Sequence, residues 1–121
     1  MSRTTRYSEG ARSQDLKPQD ETTRAICKYI DGHLQEDLSY ERLQNLFYIS
    51  RYHLSRKFPQ QTGKTLTEYV IFRRLLRACD LVKGGMGIED AAYQSGFNTY
   101  SHFYKEFLRT FGLSPKEYLR K

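Results

Sequence analysis

Two sets of polar side chains in this sequence are best suited to recognition: Tyr52, Ser55 and Arg56, and Ser101, Tyr104 and Lys105. At helical spacing the first set, with Pro59, faces away from Leu54 and Phe58. The second, with Leu108, faces away from Phe103, Phe107 and Phe111. Hydroxyls, phenols, a guanidinium and an ammonium on an outward face can hydrogen-bond to base edges. Arg56 carries the strongest such potential, because its planar fork donates to guanine O6 and N7 together, worth roughly 1–3 kcal/mol of discrimination. Lys105 offers a point charge with less geometric selectivity. A solvated surface would place the same residue types outward, so the faces need a scaffold to give them meaning.

Other chemistry finds little support. Cys27 and Cys79 read as core thiols, and His33, His53 and His102 show no metal-ligand spacing with them. HExxH is absent. Gly84-Gly85-Met86-Gly87 lacks the GK[ST] end of a phosphate loop and reads as a helix stop. No nucleophile, base and orienting group assemble in one region. The expectation is a non-enzyme with no cofactor and no metal.

The chain has 121 residues, room for about one domain or two very small ones. It carries 20 Lys+Arg against 14 Asp+Glu, a net charge of +6 with pI near 9.4. Residues 1–37 hold six basic and seven acidic side chains, residues 38–121 fourteen and seven, so the excess lies in the later part. That suggests a polyanionic partner, although basic domains without one are common. Hydrophobic residues make up 38%, with no Trp, so ten Tyr and seven Phe supply most of the large apolar volume. The longest apolar runs, such as Tyr69-Val70-Ile71-Phe72, fall far short of the roughly 20 residues that span a bilayer. The N-terminal stretch shows no secretory h-region, and two cysteines form no disulfide framework, so the expected setting is soluble and cytoplasmic.

The elements that must hold the two faces follow from apolar periodicity. Residues 1–20 are polar and aperiodic, expected as a disordered tail or linker. From Glu21, Ile26, Tyr29, Ile30, His33 and Leu34 line one helical face. Ser39 can cap a short helix to Phe47, and Ser50 can open another. Thr65-Leu-Thr-Glu68 is a capping box opening the longest candidate, to about Lys83, before Gly84-Gly85. Ile88 to Ser95 is short and helical, and Gly96 makes a turn. Asn98 can cap the helix of Phe103, Phe107 and Phe111, and Gly112 stops it. Ser114-Pro115-Lys-Glu117 is a second capping box. No segment alternates with period two, and the chain reads as all-α with about seven helices.

An internal repeat organises these helices. Phe58, Gly63, Glu68 and Tyr69 match Phe107, Gly112, Glu117 and Tyr118 at an offset of 49, as do His53 and His102. Upstream the offset slips to 48, pairing Leu43 with Ala91 and Ile49 with Phe97. Each copy is a short helix, a tight turn and a longer helix with a basic outer face, which is a helix-turn-helix. Ile88-Glu-Asp-Ala-Ala92-Tyr-Gln-Ser-Gly96-Phe97, Ser101-His102-Phe103, Phe107, Phe111-Gly112 and Ser114-Pro115-Lys-Glu117-Tyr118 resemble the C-terminal signature of the AraC/XylS transcriptional regulators, and Arg74-Leu75-Leu76-Arg77-Ala78 resembles their connecting helix. The resemblance covers about residues 22–121, in the size range of the short MarA/SoxS-like members.

The resemblance implies a homeodomain-like, AraC-type fold: a first helix-turn-helix subdomain over 21–63, a connector helix over 65–83 and a second subdomain over 88–121. A connector of about 18 residues would rise roughly 27 Å, which approaches the roughly 34 Å between successive major grooves on one side of B-DNA. One chain would then read two groove segments of double-stranded DNA without a dimer. Tyr52, Ser55, Arg56, Ser101, Tyr104 and Lys105 fall at the base-contacting positions of MarA-like proteins. Arg51, Lys64, Arg73, Arg74, Arg77, Lys83, Arg109, Lys116, Arg120 and Lys121 are the phosphate candidates. The implied function is sequence-specific control of transcription, with activation through RNA polymerase carried over from the family. Three alternatives stay open: a C-terminal piece of a longer ligand-responsive regulator, a nonspecific basic nucleic-acid binder, and a protein-interaction module. The first copy departs from the pattern. Gln44 and Tyr48 stand where Ala92 and Gly96 stand in the second, and Pro59 is expected to kink or stop its helix near Phe58.

Overall fold

The structure, a computed structural model, describes residues 18–120. Seven helices and no strand are present among them: α1 Glu21–Gly32, α2 Tyr40–Phe47, α3 residues 51–62, α4 Leu66–Lys83, α5 Ile88–Gln94, α6 Tyr100–Phe111 and α7 Pro115–Leu119. The expected tail lies outside the described residues as far as position 17. Asp20 is already part of the fold, since its Oδ1 accepts from the Thr23 amide at 2.8 Å and caps α1.

The helices gather into two compact units. Among the described residues the first holds 18–29 together with Ser39–Thr67, the second Ile30–Leu38 together with 68–120. In the first unit Ile26, Leu43, Leu54, Phe58 and Leu66 are buried, and Tyr29 meets Phe47 edge-on at 5.8 Å. Ser39 caps α2 through the Arg42 amide at 3.2 Å. The α2–α3 turn passes through Tyr48 at φ 53 and ψ 47, the left-handed conformation that disfavours a side chain with Cβ. The strain expected of a tyrosine in that turn is therefore present. Gln61, nearly buried, clamps the start of α1: its Oε1 accepts from the Asp20 amide at 3.0 Å.

Pro59 does not stop α3. Ahead of it His53–Lys57 form a π-helical turn in which the Phe58 amide donates to His53 O, and the α-helix resumes over Phe58–Thr62. Proline cannot make the i→i−4 bond and its ring crowds that carbonyl, so the wider i→i−5 turn accommodates it. Gly63 at φ 84 then closes the helix, its amide donating to Pro59 O.

In the second unit Leu75, Ala78, Ala91, Ala92, Phe97, Phe103 and Phe107 form the core. Phe103, Phe107 and Phe111 follow one another along α6 as tilted rings with centroids 5.5 and 4.6 Å apart, and Tyr118 stacks on Phe111 at 4.7 Å. Fully burying a ring, as at Phe103 and Phe107, contributes about 1.5–3 kcal/mol. Thr99, rather than the expected Asn98, caps α6 by accepting from the His102 amide at 3.1 Å. The capping box expected at Ser114 and Glu117 is present.

The first helix ends at Gly32, short of His33 and Leu34, and residues 30–38 group with the second unit rather than the first. Arg74 holds this turn. Its Nε donates to Leu34 O at 2.8 Å and its Nη2 to Glu36 O at 2.9 Å, while Gln35 Nε2 donates to Gln94 O at 2.7 Å. Gly96, at φ +114, lies directly against this turn, where a Cβ would overlap Leu34 O and come within 2.6 Å of Arg74 Nε. Small size at that position is a packing requirement as well as a conformational one.

Candidate nucleic-acid interface

In the first unit, α3 turns Leu54 and Phe58 inward, both fully buried, and leaves Tyr52, Ser55 and Arg56 exposed. The Arg56 guanidinium carbon lies 5.8 Å from the Tyr52 ring centre, so the two side chains form one composite surface. Ser55, exposed, donates its Oγ–H to Arg51 O at 2.9 Å, which leaves the oxygen able to accept. Arg51 stacks 4.1 Å over the Tyr40 ring, which fixes an exposed cation at the start of the helix. His53 is half-buried, its Nε2 3.5 Å from Thr23 Oγ1, and packs rather than reaching outward.

In the second unit, α6 repeats the arrangement. Phe103 and Phe107 are fully buried, and Ser101, Tyr104 and Lys105 are exposed on the other side. Tyr104 is positioned by Tyr100, 6.3 Å away, whose phenol is pushed up by burial. The two sets predicted from sequence thus occur as two outward faces, each backed by aromatic or aliphatic core.

The cations predicted to meet phosphate divide by their internal partners. Arg73 Nε lies 2.9 Å from Asp31 Oδ1, Arg74 holds the 33–38 turn, and Arg109 Nη2 donates to both oxygens of Glu106. Burial depresses the Arg74 pKa, with Asp37 opposing. Arg51, Arg77, Lys83, Lys116 and Arg120 are exposed, Lys64 is half-buried, and Lys121 lies outside the described residues.

Glu106, 7% exposed, escaped the sequence reading. Its position three residues after Phe103 and one before Phe107 does place it toward the buried side of the helix. Cys79 is a buried free thiol whose pKa burial raises, and Cys27 is half-buried. Among the described residues no cluster of three or more His, Cys, Asp or Glu could hold a metal, and no helix is long and apolar enough to cross a membrane.

Comparison with known proteins agrees with this architecture. A family profile described as a helix-turn-helix domain matches residues 43–121. The transcriptional regulator YbfI of Bacillus subtilis is 36% identical over 86 residues, covering 71% of this chain and 31% of that protein. The transcriptional activator RhaS of an Enterobacter species is 30% identical over 105 residues, 86% of this chain and 38% of that protein. The chain therefore spans about a third of the length of these curated relatives. Among solved structures, the C-terminal domain of AraT, a response regulator from Geobacillus stearothermophilus, superposes with a TM-score of 0.77 at 26% identity, over 84% of this chain and 85% of that one. The DNA-binding domain of the transcriptional factor AdpA, crystallised with a target DNA, gives 0.76 at 25% identity, over 84% and 92%. On the matched profile, these relatives and the two helix-turn-helix faces, the chain belongs to the AraC/XylS family of helix-turn-helix DNA-binding domains.

Proposed function

We propose that the chain binds double-stranded DNA sequence-specifically and thereby regulates transcription, with α3 and α6 as its major-groove readers. The observation that carries this reading is the same construction in both units: a helix whose inner face is fully buried and whose outer face offers a tyrosine, a serine and a cation. A reader needs both a rigid backing and outward donors. Tyr52, Ser55 and Arg56 from α3, and Ser101, Tyr104 and Lys105 from α6, contact bases. Arg51, Lys64, Arg77 and Lys116 contact phosphate. Arg73, Arg74 and Arg109 meet internal partners first. The protein acts in a bacterial cytoplasm, one chain serves both readers, and activation proceeds through RNA polymerase.

Selecting duplexes from a random pool tests the reading. Affinity for selected over shuffled duplexes should reach roughly 10³ or more at physiological salt. Equal affinities would leave only a nonspecific basic binder, and no duplex binding even at low salt would point to a protein partner.

A further inference from the structure

The two reader helices carry different charge. Residues 51–62 contain Arg51, Arg56 and Lys57 and no carboxylate, a net of +3. Residues 100–111 contain Lys105, Arg109 and Glu106, a net of +1. The difference centres on Glu106, which stands at the repeat offset of 49 from Lys57. Lys57 is exposed, whereas the Glu106 side chain is only 9% exposed. Its carboxylate accepts from Arg109 Nη2 at 2.7 and 2.9 Å and lies 3.5 Å from His102 Nε2. A carboxylate this far from water persists through such partners. Arg109, 70% exposed, lies four residues beyond Lys105 on the same stripe of α6, where it would otherwise be a cation available to phosphate.

We propose that Glu106 is an internal counter-ion that withholds Arg109 from DNA phosphates. The second reader then binds chiefly through Ser101, Tyr104 and Lys105, and the first supplies more of the sequence-independent attraction. The inference rests on the DNA-binding reading above and deepens it. Each phosphate neutralised contributes about 0.9 to the slope of log affinity against log salt. A cation held by its own carboxylate contributes nothing to that slope, so shuffled DNA is bound less tightly and base contacts decide a larger share of the total.

The test uses the full chain, a duplex selected from a random pool and a shuffled duplex of the same composition, titrated between about 50 and 200 mM salt. Arg109→Ala alone should leave the wild-type slope unchanged. Glu106→Gln should steepen the slope on shuffled DNA by about 0.9 and narrow the selected-to-shuffled ratio. The double variant Glu106→Gln/Arg109→Ala should return to the wild-type slope. Glu106→Gln, which removes the buried charge, remains informative even if Arg109→Ala, which strips that carboxylate of its guanidinium partner, folds poorly. A slope that falls by about 0.9 in Arg109→Ala, or one that stays flat in folded Glu106→Gln, overturns the proposal. A wild-type chain with no preference for any duplex instead overturns the DNA-reading function beneath it.

Discussion

Replacing Gly96 with alanine should destabilise the second unit far more than the same change at Gly112. Both glycines have positive φ, +114 and +79, so both replacements carry backbone strain. That strain is about 1–2 kcal/mol, partly offset by the roughly 0.4–1 kcal/mol that alanine gains by restricting the unfolded chain. At Gly112 a new Cβ meets nothing within 4 Å, so the net cost should stay near 1 kcal/mol. At Gly96 the Cβ would overlap Leu34 O, a backbone atom that cannot swing aside. The 33–38 turn must shift, weakening the charge-assisted bond from Arg74 Nε to Leu34 O. Losing such a bond costs about 1.5–3 kcal/mol, which brings the total for Gly96→Ala to about 2.5–4 kcal/mol. Urea unfolding of the two variants beside the wild type measures the difference. Equal destabilisation would refute the close approach of Gly96 to the turn.

Three further outcomes follow from the same geometry. Tyr48→Gly relieves a left-handed tyrosine that is 93% exposed, and should stabilise by about 0.5–1 kcal/mol after the entropic cost of glycine, seen as a raised Tm. Asp20→Ala should cost about 1 kcal/mol at neutral pH through loss of the α1 cap. The Thr23 amide bond holds the Asp20 pKa below its ordinary 3.8, so the carboxylate's contribution is present above that value and lost as pH falls through the lower folded pKa. Urea midpoints of Asp20→Ala and wild type should therefore converge only in strong acid; a gap that is constant with pH would remove the charged cap from the account. Arg56→Ala should flatten base preference at one or two positions by roughly 1–3 kcal/mol, whereas Arg77→Ala should weaken all duplexes alike and reduce the salt slope by about 0.9. Identical behaviour of the two variants would contradict their separate roles.

What could be read from sequence was local. Apolar spacing located each helix, Ser39 and Ser114 announced their caps, and the repeat indicated the two outward polar faces. What escaped depends on contacts distant in sequence or on competition between neighbours. Nothing near Gly32 says that the carbonyls of Leu34 and Glu36 will be taken by an arginine some forty residues later, in the unit with which residues 30–38 group. Asn98 and Thr99 are both good caps, and only the backbone geometry selects Thr99. Pro59 signals a disturbance without revealing that a π-helical turn absorbs it. A positive charge in the sequence does not disclose that Asp31 and Glu106 already hold two of the phosphate candidates, Arg73 and Arg109.

Backbone and side-chain NMR of the chain titrated with its selected duplex tests the reading of DNA by α3 and α6 most directly. Signals from Tyr52, Ser55 and Arg56 and from Ser101, Tyr104 and Lys105 should move together at saturation, while the buried Phe58 and Phe107 rings keep their positions. Perturbations confined to one helix, or lying wholly outside both, would contradict two-helix reading.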